Sequence, residues 1–251
     1  MKARQVETID QVIARLTDIV AWAKADASRL GYFAALYRKV TLAVKEGIER
    51  DFFDDGPRME RLDVIFARRY LDAFDAYRDG GTPSQSWLFA FEVAGQWWPI
   101  VLQHLLLGIN AHINLDLGIA AARTVPPEQL QNLHGDFNKI NTVLARLVGS
   151  VQEELAQIWL ALRWMNRYLG SVDDAVINFS MKKARDHAWA VAERLAPLDA
   201  AAQAHEIGEI DRKTLKLAHL IRKPGVAGST VTKIIRLGER GTIPQIIDIL
   251  M

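Results

Sequence analysis

Residues 110–117 read NAHINLDL and lie within the most apolar part of the chain, Trp87–Ala122. The polar side chains of this segment are Asn110, His112, Asn114 and Asp116. A buried polar group without a partner costs about 1–3 kcal/mol, so neighbouring elements must supply hydrogen bonds. At about 100° per residue, the His/Asp pair lies on one helical face and the two asparagines lie on nearly the opposite face. Two opposed polar stripes predict a central helix that is packed on both sides.

The remaining sequence also shows helical spacing of apolar residues, whereas strand signals are nearly absent. Breaks are expected at residues 52–57 (FFDDGP) and 124–127 (TVPP), where proline and glycine interrupt helical pairing. Pro99 should kink a helix or start a new one, and Gly108 permits a bend before the central helix. The predicted helices cover residues 6–27, 32–49, 59–77, 84–107, 110–122, 136–169 and 175–195, followed by short amphipathic pieces at 211–221, 229–237 and 244–250.

These elements predict an all-α protein, in which residues 1–251 form one multi-helix bundle around a buried central helix near residues 109–122. The short C-terminal helices, 211–250, are expected to pack on the bundle rather than to form a domain of their own. No internal repeat is visible.

Composition narrows the classes of function. The 251 residues include 31 Lys and Arg against 30 Asp and Glu, a net charge of +1, so no nucleic-acid partner is expected. The chain has no cysteine, which excludes disulfides and thiolate metal sites. No signal peptide is evident at the N-terminus, and polar residues interrupt the apolar stretch, so we expect a cytoplasmic protein without a membrane span.

The pair His112 and Asp116 has the i,i+4 spacing with which two side chains reach one ion from a helical face. A third ligand would come from His134, Asp136 or Glu92. One hypothesis is therefore a hydrolase in which a divalent metal activates water, with Asp136 and His134 as catalytic residues. The alternatives are a metal-free pocket for a small-molecule ligand, and a non-enzymatic binding or scaffold protein in which the pair only orients helices.

Other polar residues have simpler interpretations. Arg69 can pair with a buried carboxylate, bind an anion or reach solvent, and Asn141 can extend the polar network of the central helix. Asp136 is placed to cap the long helix, or else to face the central helix. Trp97 and Trp98 are expected in the core, although they can also line a pocket. A solvated face explains the basic run of Lys182, Lys183, Arg185 and His187.

The central segment also resembles the signature of a family of uncharacterised bacterial helical domains. That signature, Gly-x-Asn-Ala-His-Ile-Asn-x-Asp-Leu followed by Asp-Phe-x-x-Ile-Asn, matches residues 108–117 and 136–141. Residues 66–74 (FARRYLDAF) and 184–189 (ARDHAW) fit the same family pattern. The resemblance implies a helical fold and a site around the central segment, and it implies no particular reaction.

Overall fold

A computed structural model describes residues 6–159, 172–223 and 225–251, with the side chains of 148, 172–180, 226–229 and 231 outside the description. All regular structure in these ranges is helical, which confirms the all-α bundle. The α-helices are α1 (Ile9–Ala25), α2 (Leu30–Glu49), α3 (Gly56–Arg78), α4 (Gln85–Ala94), α5 (Val101–Ala111), α6 (Gly118–Thr124), α7 (Leu130–Ile158), α8 (Val172–Leu195), α9 (Ala200–Arg222), α10 (Gly225–Gly238) and α11 (Ile243–Leu250).

The predicted central helix is present, but its geometry differs from the expectation. Helices α5 and α6 are joined without a break by a π-helical turn, His112–Leu117, and α5 continues through Gly108 without interruption. Instead Gly108 permits a close approach, because a Cβ there would lie 2.5 Å from the ring of Phe33. Gly118 does the same on the other side, where a Cβ would lie 2.7 Å from the carbonyl oxygen of Ala188. The continuous helical segment Val101–Thr124, called the central run below, is therefore packed between α2 and α8.

The length and composition of this run would also allow it to cross a membrane. An 18-residue window within Val101–Thr124 has a mean hydropathy of 1.4, and this is the one such segment among the described residues. However, 72% of that window is buried inside the protein. Burial of this kind is what the core helix of a bundle requires.

One helix start differs from the prediction, and carboxylates from distant parts of the chain bind the backbone at two others. Helix α7 begins at Leu130, so Asp136 lies inside it and does not cap it. Its carboxylate accepts the backbone N–H groups of Asp54 (2.7 Å) and Asp55 (3.0 Å), just ahead of α3. Asp211 likewise accepts the N–H of Gln85 at the start of α4, at 2.7 Å. These contacts fix where α3 and α4 approach the central run.

The C-terminal part is organised differently from the predicted short pieces. The predicted helix at 211–221 is the second half of the longer α9, and α10 and α11 follow it. Glu239, directly after α10, accepts the N–H of Val101 at 2.8 Å and so caps α5. The long helix was predicted to continue to Leu169, but it ends at Ile158, and Trp159 is extended. Residues 160–171, with the predicted cap at Ser171, lie outside the described ranges.

Candidate functional site

The side chain of Asp116 is fully buried in the π-helical turn and is held by two N–H donors. Arg69 of α3 donates from Nε to Oδ1 at 3.0 Å, and Trp87 of α4 donates from Nε1 to Oδ2 at 2.7 Å. Asp211, by capping α4, positions that tryptophan. The possible pairing of Arg69 with a buried carboxylate is thus present, and it ties α3 and α4 to the central run.

His112 lies next to this carboxylate, with Nδ1 3.4 Å from Oδ2 of Asp116. Its ring stacks on Phe66, with centroids 3.5 Å apart and planes at 9°, while the edge of Tyr37 packs at 4.4 Å. Burial lowers the pKa of His112 below its usual value, more than Asp116 raises it. The imidazole is therefore neutral at pH 7. A proton on Nδ1, shared with Asp116, leaves Nε2 as an acceptor.

The Nε2 atom of His112 is buried and has no hydrogen-bond partner within the described structure. His112 lines a cavity of about 360 Å³, whose other described walls come from α2, α3, α5, the π-helical turn, α7 and α8. Small-molecule sites typically have volumes of roughly 300–1,000 Å³ and mostly apolar walls. The wall here is apolar apart from a few side chains, namely Tyr37, Asp63, His112, Gln152 and Arg185.

Asp63 of α3 is a site residue that the sequence analysis missed. Its side chain is buried, lines the cavity, and has an Oδ2 atom without a partner among the described residues. Desolvation, assisted by the charge of Glu60, raises the pKa of Asp63 to about 7. A signal was available, because Asp63 shares a helical face with Phe66, Ala67 and Tyr70, which are apolar or aromatic.

Arg185 of α8 corrects the interpretation of the basic run. Lys182, Lys183 and His187 are exposed, whereas Arg185 is 4% exposed and lines the cavity. It donates from Nη2 to the carbonyl oxygen of Phe137 at 2.5 Å and lies over the Phe137 ring at 4.4 Å. Three side chains of the basic run are therefore solvated, whereas the guanidinium of Arg185 is buried in the core.

The second polar stripe faces the opposite side of the central run, as predicted. Asn114 donates to Oδ1 of Asn110 at 2.9 Å, and Asn110 donates to the carbonyl oxygen of Thr214 in α9 at 3.0 Å. A smaller cavity of about 190 Å³ borders Asn114 on this side. Asn141, half-buried on α7, takes part in neither network within the described ranges.

The other predicted site residues lie apart from His112 and Asp116. Asp136 is committed to Asp54, Asp55 and Arg58, whose Nη2 lies 2.9 Å from Oδ2. His134 stacks on Trp189 and bonds to Asn138, and Glu92 is exposed on α4.

Two further observations bear on the predicted pockets and metal ligands. Over the described residues no group of three His, Asp or Glu side chains is arranged to hold a metal. The metal hypothesis stays a prediction from spacing. Trp97 and Trp98, expected in the core, are about half exposed.

Comparison with known proteins agrees with the resemblance seen in the motifs. No curated protein and no solved structure matches the chain. A family model described as "Family of unknown function (DUF5995)" matches residues 9–224, which include the central run, α3 and the described part of α8. The chain therefore belongs to the DUF5995 family.

Proposed function

We propose that this protein binds an apolar small molecule in the cavity beside His112, and that Nε2 of His112 accepts a hydrogen bond from a polar group of that molecule. The observation that carries the proposal is that His112, whose buried Nε2 has no hydrogen-bond partner among the described residues, lines a cavity of about 360 Å³. An unpaired buried acceptor is destabilising, so a ligand that supplies a donor offsets this cost.

The surroundings of His112 support a binding role over packing alone. Its ring orientation is fixed by Asp116, Phe66 and Tyr37 without any contribution from Nε2. Asp116 in turn is fixed by Arg69 and Trp87. Ligand-binding sites typically hold the side chain that contacts the ligand, here His112, by hydrogen bonds to neighbours that are themselves hydrogen-bonded, here Asp116.

A second candidate function is acid–base chemistry on the bound molecule. The observation that favours it is the pairing of a neutral His112 with Asp116, which is the arrangement by which carboxylates orient a histidine base. Asp63, with its pKa at about 7, is a second group in the same wall that exchanges a proton near neutral pH. Turnover of a bound ligand that is lost in His112→Gln, with binding retained, would establish this second function.

The binding proposal is tested with the neutral fluorophore N-phenyl-1-naphthylamine, whose emission rises in apolar surroundings. We expect saturable binding by the wild type. Leu106→Trp, which places a larger side chain at a partly exposed position of the cavity wall, should weaken it by about tenfold or more. Leu220→Trp, an exposed position on α9 away from the cavity, is the matched control. Absence of binding, or equal binding by both variants, would contradict the proposal.

A further inference from the structure

Arg185 is a buried cation that lines a mostly apolar cavity. The residue is 4% exposed, and its Nε atom has no hydrogen-bond partner in the described part of the chain. Its polar contact is to a main-chain carbonyl oxygen, that of Phe137, which is neutral. Buried charges in proteins are normally paired, because an unpaired charge in a low-dielectric interior is costly.

The carboxylates near Arg185 do not pair with it. Among the described residues no Asp or Glu oxygen lies within ion-pairing distance of its guanidinium. Asp186, the next residue in the chain, favours the charged form of Arg185 electrostatically, but it is exposed and forms no ion pair with Arg185 in the described structure. Asp63 lines the same cavity, and near pH 7 a large share of it is protonated. Burial lowers the pKa of Arg185 to about 9, by more than the charge of Asp186 raises it.

We propose that Arg185 binds the carboxylate of an amphipathic ligand whose apolar part fills the cavity. This inference rests on the proposed function and adds a second polar group to its ligand: the carboxylate contacts Arg185, and a hydroxyl elsewhere on the ligand supplies the donor to Nε2 of His112. Arg185 lines the cavity, its buried Nε–H has no partner among the described residues, and a guanidinium forms charge-assisted hydrogen bonds with carboxylates. The rest of the lining suits a hydrocarbon chain.

A monoanion matches this site better than a phosphate. Arg185 is the one Lys or Arg side chain among the described residues that line the cavity, so the wall holds a single permanent positive charge. A phosphate group carries more charge and three acceptor oxygens, and sites for it usually gather several cations or main-chain N–H groups. A single guanidinium in an apolar wall is the arrangement that suits a long-chain carboxylate.

The test compares decanoate with 1-decanol, which has the same chain length and no charge, by isothermal titration calorimetry at about pH 6, where Asp63 is mostly protonated and decanoate is mostly ionised. We expect Arg185→Met to weaken decanoate binding by about tenfold or more and to leave 1-decanol binding within about twofold. Lys182→Met, an exposed position on the same helix, is the control and should change neither affinity. Arg185→Gln, which keeps a donor for the carbonyl of Phe137, serves if the Met variant does not fold.

The outcomes separate the two proposals. Equal losses for both ligands, or no loss for decanoate, would overturn the carboxylate assignment while leaving the cavity as an apolar binding site. Failure of both ligands to bind the wild type would overturn the carboxylate assignment together with the proposed function.

Discussion

The Nε atom of Arg69 donates to Oδ1 of Asp116 at 3.0 Å, and this contact joins α3 to the π-helical turn. The carboxylate is completely buried, whereas the guanidinium retains 26% exposure. The contact therefore orients a buried acid that also borders His112.

Asp116→Asn should destabilise the fold, because the amide cannot accept from Arg69, Trp87 and His112 as the carboxylate does. Removing one member of a buried pair typically costs about 3–5 kcal/mol. We expect roughly 2–4 kcal/mol in urea unfolding, since Arg69 keeps some access to water. Asp248→Asn removes an exposed pair with Lys24 and should cost at most about 1 kcal/mol. Equal losses in the two variants would contradict the structural role of Asp116.

Asp63→Asn should stabilise the protein at alkaline pH. Because burial raises the pKa of Asp63 to about 7, the unfolded state loses this proton at lower pH than the folded state does. The stability due to Asp63 therefore falls as pH rises from about 4 to about 7 and is constant above that. We expect a gain on the order of 2–4 kcal/mol at about pH 8 and little change at about pH 4. A pH-independent difference between the two proteins would contradict this account.

Acid should destabilise the protein through its buried histidines. Burial lowers the pKa of His104 to about 3, and it also lowers the pKa of His112. As pH falls below about 6.5, the unfolded state binds protons that the folded state does not, at up to about 1.4 kcal/mol per pH unit for each histidine. His104→Leu should reduce the slope of unfolding free energy against pH between about 6.5 and 5. An unchanged slope would show that His104 titrates normally in the folded protein.

Gly108→Ala should be strongly destabilising, because its Cβ would lie 2.5 Å from the ring of Phe33, which also lines the cavity. Overpacking of this kind costs about 1–3 kcal/mol. Gly208→Ala, in open space on α9, should instead stabilise by about 0.5–1 kcal/mol. Thermal unfolding of the two variants measures both effects. A neutral Gly108→Ala variant would mean that α2 and the central run are less closely packed than described.

The central run was predictable because its signal is local. Residues at helical spacing share a face wherever the helix packs, so the two polar stripes of residues 110–116 could be assigned before their partners were known. The π-helical turn was not predictable, since the identity of these residues does not distinguish an i→i+5 from an i→i+4 hydrogen-bond pattern.

The polar residues of the cavity are brought together by contacts between distant segments. The sequence analysis therefore identified fewer of them than of the polar residues of the central run. Arg185 and Lys182 look alike in the sequence, and only the packing of α8 against Phe137 buries one of them. Asp136 was expected near the central helix or at the start of its own helix. Its carboxylate instead accepts the backbone N–H groups of Asp54 and Asp55, just before α3 and about 80 residues away in the chain.

The most direct test of the binding site is a crystal structure of the protein grown with 1-decanol. The account predicts density for the alkyl chain in the cavity beside Phe66, with the hydroxyl oxygen about 2.7–3.2 Å from Nε2 of His112. An empty cavity under conditions in which 1-decanol is seen elsewhere, or a chain bound with Nε2 of His112 still unpartnered, would contradict it.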